Sequence, residues 1–240
     1  MALSPDPRPI HGVWGPYQGA VLPDAWLNEA GQSATGALLD HLIRWHGAGG
    51  EPTPELHRRV IARILELRAE DPDLAPRLHV LPDFHGNRSP LADPHAVGVI
   101  SGLTLDSSFD SLCKLYWRTA VAIALGVRHI LEALNQNGYV IDTLHVTGGH
   151  TKNPLLMELY ADATGCTVVE PVVDEAVLLG TGMVAATAAG LYPTLTEACI
   201  AMRQDGRERV ANPAAKARFD RDYRMFLEMH RQRKALDALR

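Results

Sequence analysis

The sequence predicts a helix-rich α/β fold, and three observations carry that prediction. Residues 143–189 alternate short β-branched runs with helical stretches, the rhythm of an α/β layer architecture. From Ser108 to about Gln136 runs one long helical pattern, apolar over much of its surface and therefore expected to be buried. Of the 240 residues, 46% are hydrophobic, which supplies a packed core and argues against intrinsic disorder. A chain of this size buries about 70% of the surface its unfolded form exposes, so the core needs neither disulfides nor a metal.

The elements follow in order. Met1 to Pro23 reads as extended chain, because Pro5, Pro7 and Pro9 forbid a helix. Gly12, Gly15 and Gly19 then alternate with Val13, Trp14, Tyr17 and Val21, as in short strands with tight bends. Nothing before these strands supplies a pairing partner, so they are expected to be orphaned. Ser33 to Trp45 is helical, with Leu38, Leu42 and Trp45 on one face. Pro54 to Glu70 is a second amphipathic helix, burying Leu56, Val60, Ile64 and Leu67. Leu78 to Leu81 is a strand, 82–90 a polar loop, and 97–105 a strand and turn. Gly138 stops the long helix. Then come a strand at 143–147, a helix at 153–164, a strand at 167–170 and a helix at 174–189. Two further helices lie at about 194–203 and 213–236, the last so charged that it reads as a solvated surface helix.

Composition excludes several functions. A net charge of -5 argues against a dedicated nucleic-acid binder. Cys113, Cys166 and Cys199 form no CxxC pair and no zinc spacing, which fits a reduced, cytoplasmic setting. The opening MALSPDPRPI has no apolar core of a signal peptide, and no run approaches the roughly 18 apolar residues of a membrane span.

The sharpest local feature is Thr147-Gly148-Gly149-His150-Thr151-Lys152-Asn153-Pro154, where a strand ends and a helix begins. Two glycines allow positive φ and close ligand approach, and Asn153-Pro154 is a cap followed by proline at the first helical position. Free N–H groups and the helix dipole there favour an anion. The motif reads as a nucleotide or phosphate site, or equally as a tight turn with a good cap. The chain contains no GxxxxGK[ST], no GxGxxG after a strand and no GxSxG elbow. Gly180-Thr181-Gly182 suits close helix packing or close ligand approach. Glu29, before a glycine turn, could accept hydrogen bonds from a polyol or be a solvated acid. Asp83, His85, Asn87, Arg88 and Asp93 share one proline-bounded loop with no standard metal spacing, so a hydrogen-bonded structural loop is the default. His145 and His150 flank the glycine turn without a second zinc-ligand pair.

Five stretches together resemble the FGGY family of carbohydrate kinases, in its pentulose (D-ribulose) kinase branch. They are GVWGPYQGAVLPDAWLNEAGQSATGALLDHL at 12–42, LPDFHGNRSPLADP at 81–94, GLTLDSSFDSLCKLY at 102–116, HVTGGHTKNPLLMELYADATG at 145–165 and EAVLLGTGMVAA at 175–186. The resemblance implies an actin-like, ribonuclease-H-like ATPase fold, with 1–240 as a single C-terminal FGGY domain. It implies ATP and Mg²⁺ as cofactors, the ion held mostly by phosphates and waters. It places Gly148, Gly149 and Asn153 at the adenosine and α-phosphate, Gly31 and Thr35 near the β- and γ-phosphates, and Glu29 on the pentulose hydroxyls. The 81–94 loop would shape the cleft. The family's N-terminal DxGT phosphate loop and its aspartate general base have no counterpart in this sequence, so no catalytic base is assigned. The expected partner is therefore an N-terminal kinase half, without which the chain is inactive. A second reading is a non-catalytic kinase remnant that self-associates as a homodimer, and a third uses Asp83 or Glu29 as a substitute base.

Overall fold

The computed structural model describes residues 1–173 and 175–239. Its element order confirms the α/β expectation. β1 (Ala2–Ser4), β2 (Trp14–Gln18) and β3 (Trp26–Glu29) precede α1 (Gly36–Trp45) and α2 (Pro54–Glu70). β4 (His79–Leu81) and β5 (Val99–Ser101) precede the long α3 (Phe109–Gln136). β6 (Thr143–His145), α4 (Pro154–Thr164), β7 (Thr167–Pro171), α5 (Ala176–Ala188), α6 (Leu195–Met202), β8 (Gly206–Arg209) and α7 (Lys216–Asp237) complete the chain.

Local chemistry sets the helix ends. The Thr53 hydroxyl accepts the Leu56 N–H at 3.2 Å, with Pro54 in the first turn, so α2 starts where its sequence says it must. Ser108 caps α3 by accepting the Ser111 N–H, and Gly138, at φ +90°, follows its last turn. Asn153 caps α4 through the Leu155 N–H, and Gly165 ends that helix in the left-handed region.

α3 is the axis of the core. Leu112, Tyr116, Trp117, Ala120, Ile123 and Ala124 are all essentially inaccessible, and α1, α2, α4 and α7 pack around them. Each fully buried Leu, Ile or Phe contributes about 1.5–3 kcal/mol relative to exposure, so this helix dominates the stability of the unit. α2 adds Val60, Ile64 and Leu67 to the same core, while Leu56 is only partly buried. On α1 the buried face is Leu38, Leu39, Leu42 and Ile43, and Trp45 stands exposed.

The strands form three small sheets, ordered β1-β3-β2, β4-β5 and β6-β7-β8. The early strands are not orphaned, contrary to the sequence expectation. β3 lies antiparallel between β1 and β2, with Leu3 opposite Leu27 and Tyr17 also opposite Leu27 across the other edge. β6 and β7 run parallel, and β8 closes that sheet antiparallel.

The last helix also differs from its reading as a solvated surface element. Phe219, Asp222, Tyr223, Phe226 and Met229 of α7 are buried against the core. Asp222 takes the Arg118 guanidinium of α3 at 2.8 Å, with 0% and 3% of the two side chains exposed. Arg118 is further held by the Leu78 carbonyl at 2.7 Å and by His79 at 3.1 Å. The charges of α7 mask a narrow apolar stripe at helical spacing.

Candidate functional site

Four segments meet at one groove of about 970 Å³. β3 runs into the turn that carries Ala30, Gly31 and Gln32, and Thr35 follows at the start of α1. β6 runs into Thr147 and the glycine turn, which folds as a single short 3₁₀ segment, Gly148–Lys152. Gly31, Thr35, Thr147 and His150 all line the groove. Parts of the two motifs that the sequence holds more than a hundred residues apart therefore share one concavity, although Gly148, Gly149 and Asn153 are not among its walls.

A hydrogen-bonded chain joins them. His150 Nε2 lies 2.8 Å from the Thr35 hydroxyl, and its Nδ1 lies 2.9 Å from the Tyr160 hydroxyl on α4. Burial lowers the His150 pKa below the ordinary histidine value, so the ring is neutral at pH 7, donating from one nitrogen and accepting at the other. Gly148 and Gly149 are exposed, and a Cβ added to either meets nothing within 4 Å. The turn is open to an approaching group, and a groove lies beside it.

Asn153 is engaged within the chain. Its carbonyl oxygen caps α4, and its amide donates to the Tyr116 hydroxyl at 3.3 Å. Tyr116 continues to His57 at 3.0 Å, and His57 to Asp40 at 2.9 Å. Burial pushes the Tyr116 hydroxyl far above its usual range, so it remains protonated. This four-residue network fixes the far end of the glycine turn against α1, α2 and α3. Neither it nor the His150 link was foreseen from sequence, since both are built by tertiary contact.

Glu29 closes β3 and pairs with Arg88 of the 82–90 loop at 2.9 Å. The Arg88 guanidinium lies 4.0 Å over the Trp14 ring, and a Cβ on Gly31 would sit 3.5 Å from its Nη1. Arg88 and Trp14 also line a second opening of about 640 Å³, with Phe84, His85 and His95. The acid expected to meet a polyol is thus balanced by one arginine and is not among the walls of either opening. The loop itself is structural, as read: Asn87 exchanges two backbone bonds with Asp93, and its amide donates to Asp83 at 3.0 Å. Asp83 is buried, and burial pushes its carboxyl up to about 6. It faces His230 at 3.6 Å and borders only a cleft of about 10 Å³ beside Ser33 and Arg88, which leaves no room for a sugar at its carboxylate.

The match to known proteins agrees with this geometry. The family model for the C-terminal domain of the FGGY family of carbohydrate kinases matches residues 1–189. The chain belongs to the FGGY family. It is 42% identical over 252 aligned positions to the "FGGY carbohydrate kinase domain-containing protein" of Xenopus laevis, covering all of this chain and 45% of that one. It is 37% identical over 201 positions to a D-ribulokinase of Saccharomyces cerevisiae, covering 78% of this chain and 28% of that one. Among solved structures, a xylulose kinase from Rhodospirillum rubrum superposes with a TM-score of 0.72 at 25% identity, over 90% of this chain and 41% of that one. A Brucella ovis kinase structure superposes with a TM-score of 0.77 over the whole chain and 46% of its own, at 19% identity, which speaks to the fold alone. The fold is thus the actin-like, ribonuclease-H-like one of FGGY sugar kinases, and the chain spans less than half the length of the curated relatives it matches.

Proposed function

We propose that this chain is the nucleotide-binding half of a pentulose kinase that transfers the γ-phosphoryl group of ATP to a D-ribulose-like hydroxyl. The single observation that supports it is the shared groove, in which Gly31 and Thr35 are joined to the glycine turn through His150. In this reading Gly148 and Gly149 let adenosine and the α-phosphate approach the backbone, and Asn153 holds the turn. Gly31 and Thr35 face the β- and γ-phosphates, and Glu29, held by Arg88, meets the sugar hydroxyls. Among the described residues no three His, Cys, Asp or Glu side chains converge, so Mg²⁺ would ride on phosphates and waters. The domain is 1–240 as one unit, and the working place of the protein is the cytoplasm.

The transfer forms a bond between the γ-phosphorus and the sugar oxygen and breaks the bond to the β-phosphate bridging oxygen. ADP leaves, and the hydroxyl proton goes to a carboxylate base. General-base help contributes about 10²–10⁴-fold, and domain closure supplies the positioning. Neither candidate carboxylate of this chain is disposed for that step: Asp83 is buried and Glu29 is paired with Arg88. The base and the opposing phosphate loop belong to the N-terminal half of the kinase, and the chain alone is inactive.

The experiment is reconstitution. Mixing this chain with the N-terminal portion of the Xenopus laevis relative should restore MgATP-dependent phosphorylation of D-ribulose, with neither part active alone. Full turnover by this chain alone would refute the reading. A second reading, self-association of a non-catalytic remnant, draws on α5, where Val177, Leu178 and Val184 are 73%, 65% and 56% exposed. A stable homodimer that does not bind millimolar ATP would favour it instead.

A further inference from the structure

One wall of the groove carries a hydroxyl and a base already in contact. Thr35 Oγ1 lies 2.8 Å from His150 Nε2, and His150 Nδ1 lies 2.9 Å from the Tyr160 hydroxyl, with all three residues lining the groove. A hydroxyl, an imidazole and a third group on the far ring nitrogen form the arrangement that activates a nucleophile. Thr35 does not serve the role that its position suggests. It stands at the start of α1, yet its side chain accepts no N–H of that helix, whereas the hydroxyls of Thr53, Ser108 and Thr194 each cap theirs. The Thr35 hydroxyl is turned to His150 instead. The ring is neutral, and its tautomer protonated at Nδ1 donates to Tyr160 and leaves Nε2 to accept the Thr35 proton. Thr35 and His150 are half-buried on the wall, so the hydroxyl is open to a group lodged in the groove.

We propose that Thr35 is a self-phosphorylation site: with MgATP in the groove, its hydroxyl takes the γ-phosphoryl group, and His150 acts as the general base. The inference rests on the reading that ATP binds in this groove. Thr35 Oγ1 forms a bond to the γ-phosphorus, and the bond from that phosphorus to the β–γ bridging oxygen breaks. ADP leaves, and the Thr35 proton passes to His150 Nε2. Tyr160 then holds the Nδ1–H of the imidazolium. No sugar enters this step, and the chain remains inactive toward D-ribulose. The base is an imidazole that this chain contains, whereas the sugar needs a carboxylate that it does not dispose. The product carries a charge of about −1.5 to −2 at the start of α1, where the helix dipole favours it and where it repels the phosphates of a second ATP. Each chain therefore reacts once, and the reacted chain binds MgATP less tightly.

The test incubates the full chain with saturating MgATP and reads its intact mass, with the modified residue located by fragmentation. One phosphoryl group per chain is expected, on Thr35, at a first-order rate that does not change with protein concentration. Thr35→Ser keeps a hydroxyl beside His150 and should still be modified, whereas Thr35→Val should not. His150→Gln should slow the reaction by about 100-fold or more, the contribution of a general base, and Tyr160→Phe by about 2- to 10-fold. Without nucleotide, nitrogen NMR of the parent chain should show His150 protonated at Nδ1, a readout that needs no variant to fold. Modification at another residue, an equal rate in H150Q, a rate that rises with protein concentration, or a ring protonated at Nε2 overturns the proposal. Calorimetric titration with MgATP runs alongside and keeps the readings separate. Binding without modification sinks the self-phosphorylation and leaves the nucleotide reading standing, and no binding at all sinks both.

Discussion

Replacing each glycine of the turn by alanine separates a turn built for the fold from one built for a ligand. Gly148 has φ +80°, whereas Gly149 carries no positive φ, and a Cβ at either position meets no atom of the protein within 4 Å. Gly148→Ala therefore costs backbone strain alone, about 1–2 kcal/mol for a left-handed alanine. Gly149→Ala costs the protein nothing steric and should stay within about 0.5 kcal/mol of the parent, as an exposed substitution. The methyl group that Gly149→Ala adds would, however, stand where adenosine or the α-phosphate approaches. Forcing a methyl group into a filled contact costs about 1–3 kcal/mol, which weakens MgATP binding by about 5- to 150-fold. Urea unfolding measures the first quantity and isothermal titration with MgATP the second. The reasoning is refuted if G149A unfolds like the parent and also binds MgATP like the parent. It is refuted equally if neither protein binds at all.

Three other outcomes are expected. Asp222→Ala leaves the buried Arg118 guanidinium unpaired and should cost about 3–5 kcal/mol, lowering Tm by roughly 6–20 °C, while Asp222→Leu combined with Arg118→Met recovers most of the loss. A loss below about 1 kcal/mol in thermal melts would contradict the packing of α7. Tyr160→Phe removes the hydroxyl that orients His150 and should weaken MgATP binding by about 2- to 10-fold in calorimetry, the worth of one hydrogen bond; unchanged affinity would show that the relay does not serve the site. Burial holds Asp83 up at about 6, and burial with the neighbouring His129 holds His230 down at about 4. Raised Asp83 makes stability fall as pH climbs from its unfolded value near 3.8 through about 6, and lowered His230 makes it rise from about 4 to 6.5, so the two oppose each other in the parent. Asp83→Asn should unmask the histidine, with urea midpoints rising between pH 4 and 6.5 by an amount worth up to about 3 kcal/mol; a flat profile would rule this out.

Local signals were read well where they alone decide the structure. α2 begins and ends at Pro54 and Glu70 as its cap and periodicity require, and α3 starts one residue past Ser108. Long-range choices were not visible. The β3 run Trp-Leu-Asn-Glu lacks β-branched residues and holds a buried Asn28, which is satisfied by the Trp14 carbonyl and the Tyr139 hydroxyl. Only those distant partners make it a strand. β8, Gly-Arg-Glu-Arg, is charged because it pairs on one side alone, with β7. In α7 net charge drowned the stripe of Phe219, Tyr223 and Phe226 that its spacing does contain. For the site, residue types pointed to the glycine turn, and the family resemblance to Gly31 and Thr35. Their meeting through His150 spans 115 residues and has no local trace.

The glycine turn is held from both ends before any ligand arrives. Tyr116 fixes Asn153 at its far end, and Thr35 with Tyr160 fixes His150 in its middle. A turn fixed in this way loses little conformational freedom on binding, so in the proposed reading nucleotide affinity can reside in this chain. In that reading catalysis of transfer to the sugar does not, because the acid that closes β3 is already matched to Arg88 and Asp83 is buried. Binding and turnover should therefore separate cleanly: the isolated chain should bind MgATP at an affinity that the N-terminal half improves only modestly, while the transfer rate depends wholly on that half. If adding the N-terminal half instead creates nucleotide affinity from nothing, the turn is organised by its partner and not by the Asn153 and His150 contacts.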